Sequence, residues 1–154
     1  MLNEVGSVKS SSGAYGRPDI IWQFDKYLFG VEVKSVRFIR TIIQSNGKYS
    51  YSISAIRIVK DSWTKMTEYC KENGIIPIMI AEYRTKSTKG YLYLVIPGNE
   101  ITNAISSTKK EIYYLTFMNA IRIGIDFDRF IKHFELLKKM FWYNELKVIQ
   151  NILS

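Results

Sequence analysis

The sequence predicts an α/β fold, a mixed central β-sheet flanked by helices, and three observations carry that prediction. Residues alternate with period 2 over two short runs, Ile20–Phe24 and Tyr27–Val33, the pattern of half-buried strands. The run Ile75–Tyr83, IIPIMIAEY, is almost continuously apolar, as expected of a strand covered on both faces. Two stretches place apolar residues at helical spacing: Trp63, Met66 and Cys70, then Phe127, Phe130, Ile131, Phe134, Leu137 and Phe141. The order hairpin, helix, apolar strand, strand gives a mixed sheet with a helix packed on it.

At 154 residues, 47% of them hydrophobic, the chain has a single-domain length and enough apolar side chain for one core, which excludes a disordered protein. One domain over 1–154 is expected, with a core of about 5–140 and a helical extension over 141–154. The formal net charge of +8 favours a polyanionic partner. A lone cysteine, Cys70, excludes an internal disulfide, fits a reducing compartment and falls on an apolar helix face. With no signal-peptide pattern and no apolar run near membrane-spanning length, a soluble cytoplasmic protein with no membrane partner is expected. No nucleophile triad, glycine-rich phosphate loop, zinc spacing or internal repeat is present, and Gly6, Gly13 and Gly16 do not form a dinucleotide fingerprint.

In chain order, Leu2–Val8 is expected as a first strand and Ser10–Gly16 as a loop, either a plain surface loop or a phosphate binder acting through hydroxyls and amides. The two alternating runs then form a hairpin closed at Asp25-Lys26. With that two-residue loop Asp19 lies directly opposite Glu32, about 4.5–5.5 Å apart at Cβ. Lys34, two residues beyond Glu32, shares its face. Asp-Lys is not a favoured pair for such a turn, and a one-residue slip would send Asp19 to the other face. Two carboxylates and an ammonium on one patch suit metal-dependent hydrolysis of a phosphodiester. Magnesium is held by one or two carboxylates, with waters and phosphate oxygens completing its shell. Bound metal lowers the pKa of a water and neutralises charge at phosphorus, while a neighbouring lysine orients the water or stabilises the transition state.

Val36–Ile58 turns at Asn46-Gly47, the strongest short hairpin signal in the chain. Pairing around it puts Phe38, Ile42, Tyr49, Tyr51 and Ile53 on one face and Arg37, Thr41, Lys48, Ser50 and Ser52 on the other. This hairpin is either an arm that tracks DNA backbone through Arg37, Arg40 and Lys48 or a sheet extension with a solvated face. Asp61 or Ser62 caps a helix through Glu72, and Gly74 stops it. Pro77 requires an unpaired edge at its position in the apolar run. Arg84–Lys89 is a basic loop, Gly90–Ile96 a returning strand, and Pro97-Gly98 a turn. Ile101–Ile125 shows no clear period, and Glu111–Phe117 is either an edge strand or the start of a helix. Asp126 caps the closing helix, and Leu146, Ile149 and Leu153 continue its apolar spacing. His133, the single histidine, lies on that helix and is expected in the core or on the surface, not as a ligand.

Pro18-Asp19 followed by Glu32-Val33-Lys34 resembles the PD-(D/E)xK nuclease motif. With Ser12-Gly13 shortly before it and the hydrophobic strand Leu28–Lys34 running into it, the chain resembles most nearly the archaeal Holliday junction resolvases of the Hjc type. The likeness extends over about Val5 to Met140 and is specific in the motif region. It implies a restriction-endonuclease-like fold and a structure-selective DNA endonuclease that resolves four-way junctions by paired cuts, in DNA recombination and repair, as a homodimer. It further implies that Asp19, Glu32 and the Val33 backbone carbonyl hold Mg2+, or Mn2+ in its place. Lys34 would act on the nucleophile or transition state, and Ser12 would touch the phosphate near the cut. Lys9 and Arg17, with Arg37, Arg40 and Lys48, are the candidate DNA contacts.

Family members carry one more metal-binding glutamate on a helix ahead of this strand, and the sequence begins too late to contain that helix. Either Glu4 substitutes, or a carboxylate arrives from elsewhere, or the metal site is incomplete. A polar residue, often glutamine, leads the family's first helix, where this chain offers Lys60, Asp61 or Ser62. The stripe from Phe127 to Phe141 is more aromatic than one small domain ordinarily needs, so part of it is expected at a two-fold interface. Two other readings stand: a sequence-specific or repair endonuclease of homing or restriction type, whose long hairpin enters a groove, and a non-catalytic DNA-binding module that kept the fold.

Overall fold

The structure of the chain, a computed structural model, describes residues 2–10, 15–42, 47, 49–84 and 91–153. Its centre is a six-stranded sheet. In spatial order the strands are β1 (Ser7–Ser10), β2 (Ile20–Phe24), β3 (Tyr27–Val36), β7 (Ile76–Arg84), β8 (Tyr91–Pro97) and β10 (Ile125–Asp126). β3 and β7 pair in parallel, and every other neighbouring pair is antiparallel. The parallel step requires a crossover. It runs through β4 (Phe38–Ile42), β5 (Tyr49–Ile53), β6 (Ile56–Val59) and α1 (Lys60–Glu72). β4 with β5, and β6 with β9 (Ile112–Leu115), form separate two-stranded sheets. The remaining helices are α2 (Gly98–Ser106), α3 (Phe117–Ile123) and α4 (Phe127–Leu153).

Side-chain alternation on β7 separates two cores. Met79, Ala81 and Tyr83 face Trp63, Met66 and Cys70 of α1, Ile101 and Ile105 of α2 and Ala120 of α3. Ile76, Ile78 and Ile80 face the other way, joining Trp22, Phe29 and Val31 against Phe127, Phe130, Phe134 and Phe141 of α4. Covered on both faces, β7 buries every residue from Ile76 to Ala81, which explains its near-continuous apolar run. The rings of the closing helix meet the sheet edge-on: Phe29 lies 5.6 Å from Phe130 and 5.4 Å from Phe134, at 73° and 75°. Up to Phe141, then, the aromatic stripe that suggested a two-fold interface is taken up by the chain's own sheet. The Asp126 carboxylate accepts from the Asp128 and Arg129 amides and caps α4 as expected.

Several local expectations are revised. Leu2–Val8 is not one strand: Leu2–Glu4 makes a single 3-10 turn with Leu2 buried, and β1 begins at Ser7. Between them Gly6 passes so close to Trp22 Nε1 and the Gln23 carbonyl that a Cβ would collide with both. Neither Asp61 nor Ser62 caps α1, which starts at Lys60 after an extended Val59 without a side-chain cap. The stop is as expected, with Gly74 at φ +66° and the Ile75 amide donating to the Cys70 carbonyl at 2.8 Å. Pro97-Gly98 enters α2 instead of turning the chain, because Ile101 and Ile105, one helical turn apart, are both buried. β8 begins to pair with β7 at Ile78, so in the ladder Pro77 is paired with Gly30 of β3 on one side and unpaired on the other, as a proline needs. Ile112–Leu115 is a strand, not a helix start. In the β4–β5 hairpin Phe38 pairs with Ile53 and Ile42 with Tyr49, two residues out of step with a two-residue turn at Asn46-Gly47. Among the described residues no helix is long and apolar enough to cross a membrane.

One close contact holds α1 against β3. A Cβ on Gly30 would lie 2.6 Å from Cys70 Sγ and 3.2 Å from both Ile75 and Pro18. Gly30→Ala is therefore expected to cost about 1–3 kcal/mol through overpacking. Chemical denaturation of Gly30→Ala, Cys70→Ala and the double variant checks it. The double variant should lose less than the sum of the single variants, and strict additivity would refute the contact.

Candidate active site

The hairpin β2–β3 builds the site. Ile20 pairs with Val31 and Phe24 with Tyr27, so the loop is the two residues Asp25-Lys26. Asp25 supplies the turn by adopting φ 54°, a left-handed conformation that aspartate tolerates better than most side chains. That register leaves Asp19, the residue before Ile20, across from the segment Glu32-Val33. Its Oδ2 accepts a hydrogen bond from the Val33 amide at 3.0 Å. Glu32 pairs with Met79 and Lys34 with Ala81, so both side chains project to the α1 face of the sheet. There Lys34 Nζ lies 3.8 Å from Glu32 Oε1, and the Glu32 side chain is 24% exposed. Partial burial raises the Glu32 pKa above the usual carboxylate value, the Asp19 charge raises it further, and Lys34 works against both.

Glu32 and Lys34 open into a cleft of roughly 470 Å³, partly open to solvent, between β3, β6 and α1. Ile58, Trp63, Met66 and Met79 provide its apolar lining, and Arg17, Arg57 and Ser62 add polar groups. The segment leading to Asp19 is tied to α1. The Tyr15 hydroxyl donates to Asp61 Oδ2 at 2.5 Å, Lys65 Nζ reaches the same carboxylate at 3.2 Å, and the Arg17 guanidinium lies 5.1 Å from the centre of the Tyr69 ring. Hydrogen bonds from Tyr15 and Lys65 hold the Asp61 carboxyl below its ordinary pKa. Lys60 Nζ donates to the Thr108 carbonyl at 3.0 Å. Of the three residues leading α1, it is Ser62 that lines the cleft.

Other predicted residues are placed differently. Glu4 does not join the site: β1 pairs Ser7 with Gln23 near the hairpin turn, but the turn before it folds back over the α4 face, where Leu2 and Asn3 line a pocket with Ile20 and Val33, while Glu32 and Lys34 project to the α1 face. The turn holding Glu4 buries Leu2 in the core on the α4 face. Among the described residues no three His, Cys, Asp or Glu side chains gather as a metal site. Lys9 is exposed on β1, paired with Ile21, and Arg37 is exposed just after β3. The backbone of Arg40 pairs with Tyr51. Ser12 and Lys48 lie outside the described residues. His133 is exposed on α4. Arg57 was not anticipated; its only signal is the alternation Ile56-Arg57-Ile58, which says that it points away from a core and nothing about a cleft.

No protein-family model matches the chain, and no curated protein does. Among solved structures it matches Hjc, a Holliday junction resolvase from the archaeal hyperthermophile Archaeoglobus fulgidus. The TM-score is 0.56 at 10% identity, over 85% of this chain and 86% of that one. What the likeness shows is the fold. A mixed, mostly antiparallel sheet flanked by helices is common to the two chains, which share few residues.

The donor set fits a hard divalent cation. Asp19 and Glu32 are two carboxylates close enough for one to raise the pKa of the other. The N–H and C=O of one strand residue point to the same side, so the Val33 carbonyl faces the Asp19 side of β3, as its amide does. Two carboxylates and a carbonyl leave room for the waters and substrate oxygens that magnesium retains. Because the Glu32 pKa is raised in the folded chain, its contribution to stability is present below the ordinary glutamate pKa and lost as pH rises through the raised value. Glu32→Gln is therefore expected to gain thermal stability relative to the parent as pH rises from about 4, the ordinary glutamate value, toward neutral. Melting curves across that range check it, and a difference that is flat or shrinks with pH would contradict it.

Proposed function

We propose that this chain is a metal-dependent DNA endonuclease of the PD-(D/E)xK type, of the family of archaeal Holliday junction resolvases, cutting four-way junctions as a homodimer. The observation that carries the reading is the β2–β3 register, which sets Asp19 against Glu32-Val33-Lys34 and ties its carboxylate to the Val33 amide. The fold shared with a resolvase supports the junction as substrate, and the net charge of +8 supports a polyanion. Two sites related by a two-fold axis would cut opposing strands, so dimer and substrate belong together.

In this reading Asp19, Glu32 and the Val33 carbonyl hold Mg2+ or Mn2+. When bound, the ion would supply positive charge against the phosphate oxygens and make the attacking water more acidic. The Val33 amide orients the Asp19 carboxylate through its hydrogen bond. The Glu32 carboxylate is only partly desolvated, and Lys34 at 3.8 Å keeps a cation beside it. The Lys34 ammonium donates to the attacking water or to a non-bridging oxygen as charge builds there. Water adds its oxygen to phosphorus as the bond to one ester oxygen breaks, and the proton that the water gives up ends on that leaving oxygen. A second reading, a DNA-binding module without activity, is favoured by the absence of a third carboxylate among the described residues.

The test is incubation with a synthetic four-way junction, a linear duplex of the same sequence and the single strands, with and without magnesium. Paired symmetric cuts in the junction alone are expected; cutting of the linear duplex at one sequence would indicate a homing or restriction type of enzyme. Asp19→Asn and Glu32→Gln should abolish magnesium-dependent cleavage while DNA binding persists, and Lys34→Ala should lower kcat about 10²–10³-fold. Binding without cleavage in the parent protein would leave the module reading in its place.

A further inference from the structure

One cation of the cleft is not accounted for by the proposed chemistry. Arg57 lies on β6 between Ile56 and Ile58, each 3% exposed, and its backbone pairs with Tyr114 across the β6–β9 ladder. Its neighbours anchor the strand in the core, while Arg57 itself is exposed and lines the cleft that holds Glu32 and Lys34. Among the described residues its guanidinium has no hydrogen bond, ion pair or ring contact. The other cations in and around the cleft are engaged. Lys34 lies 3.8 Å from Glu32, Arg17 over Tyr69, Lys65 on Asp61 and Lys60 on the Thr108 carbonyl. Nor is Arg57 among the charges that shift Glu32, which are those of Asp19 and Lys34.

A planar fork of N–H donors, permanently charged and lining a cleft open to solvent, suits a tetrahedral oxyanion arriving from outside. We propose that Arg57 binds a backbone phosphate of the DNA strand that enters the cleft, and so sets the register of that strand over Asp19 and Glu32. The inference rests on the nuclease reading and deepens it. Two parallel N–H donors on two phosphate oxygens hold the strand, and no proton moves, because guanidinium stays charged throughout. Lysine in its place would retain the charge and lose the fork.

The test compares the parent protein with Arg57→Ala, Arg57→Lys and Arg129→Ala. The last removes the same charge from an exposed position on α4, across the sheet from the cleft. Binding of a labelled four-way junction is measured over a salt series without magnesium, and cleavage is measured with it. Arg57→Ala should weaken binding about tenfold and lower the slope of log K against log salt by about 0.7–0.9. Arg57→Lys should keep the slope and lower kcat/KM, and Arg129→Ala should keep both. An unchanged slope in Arg57→Ala, or an equal loss in Arg129→Ala, overturns the proposal while leaving the nuclease reading intact. If the parent protein neither binds nor cuts DNA, the nuclease reading fails, and inorganic pyrophosphate becomes the probe, read by tryptophan emission with Trp63 in the cleft lining. A response in the parent that Arg57→Ala abolishes keeps the phosphate site. The same response in both, or none in either, removes it.

Discussion

The hydrogen bond from the Val33 amide to the Asp19 carboxylate depends on one constraint, the register of the β2–β3 hairpin. Side chains alternate along a strand, so a slip of one residue would turn Asp19 to the opposite face and leave Glu32 with Lys34 alone. The turn at Asp25-Lys26 holds that register, although its sequence is not a favoured one, because Asp25 adopts the left-handed conformation that a tight hairpin requires. The hydrophobic pattern adds to it. Trp22 opposite Phe29 and Ile20 opposite Val31 put four large side chains on the α4 face, where burial rewards that pairing and no other.

The cores then decide where the patch opens. α1 lies tightly on β3 because Gly30 offers no Cβ to Cys70, and the same helix receives Tyr15 and Arg17 from the segment before Asp19. Beyond Met66 and Trp63 the cover ends, and Glu32 and Lys34 meet the cleft at the end of the packed region. α4 closes the other face with edge-on aromatic rings. The face that carries the carboxylates is thus set apart from the face that carries most of the aromatic packing.

Electrostatics at the cleft are uneven in a way that suits a site more than a structural pair. Glu32 is partly desolvated beside a second carboxylate, a less stable arrangement than an exposed acid, and a single lysine offsets it only in part. A cation bound between the acids would relieve that cost, and an anion with its own charge to neutralise would find Arg57 without a partner among the described residues. Stability given up at Glu32 would then be available as affinity for that cation.

Local pattern was enough for the strands β2, β3 and β7, the Gly74 stop, the Asp126 cap and the grouping of Asp19, Glu32 and Lys34, because residues near in sequence fix period, turn and face among themselves. It was not enough where a distant partner sets the outcome. The break between Leu2 and Ser7 follows from Gly6 against Trp22 and Gln23, and the helix at Pro97-Gly98 from Ile101 and Ile105 reaching a core. Glu4 has a fitting side chain and the wrong position, because the turn that holds it packs on the α4 face of the sheet and Glu32 projects to the other. Arg57 carries no local mark of a cleft at all. Sequence alone determined which side chains are chemically suited to hold a metal ion and where β2, β3, β7, α1 and α4 lie. Only tertiary structure decided which of those side chains meet, because meeting depends on the register and packing of segments far apart in the chain.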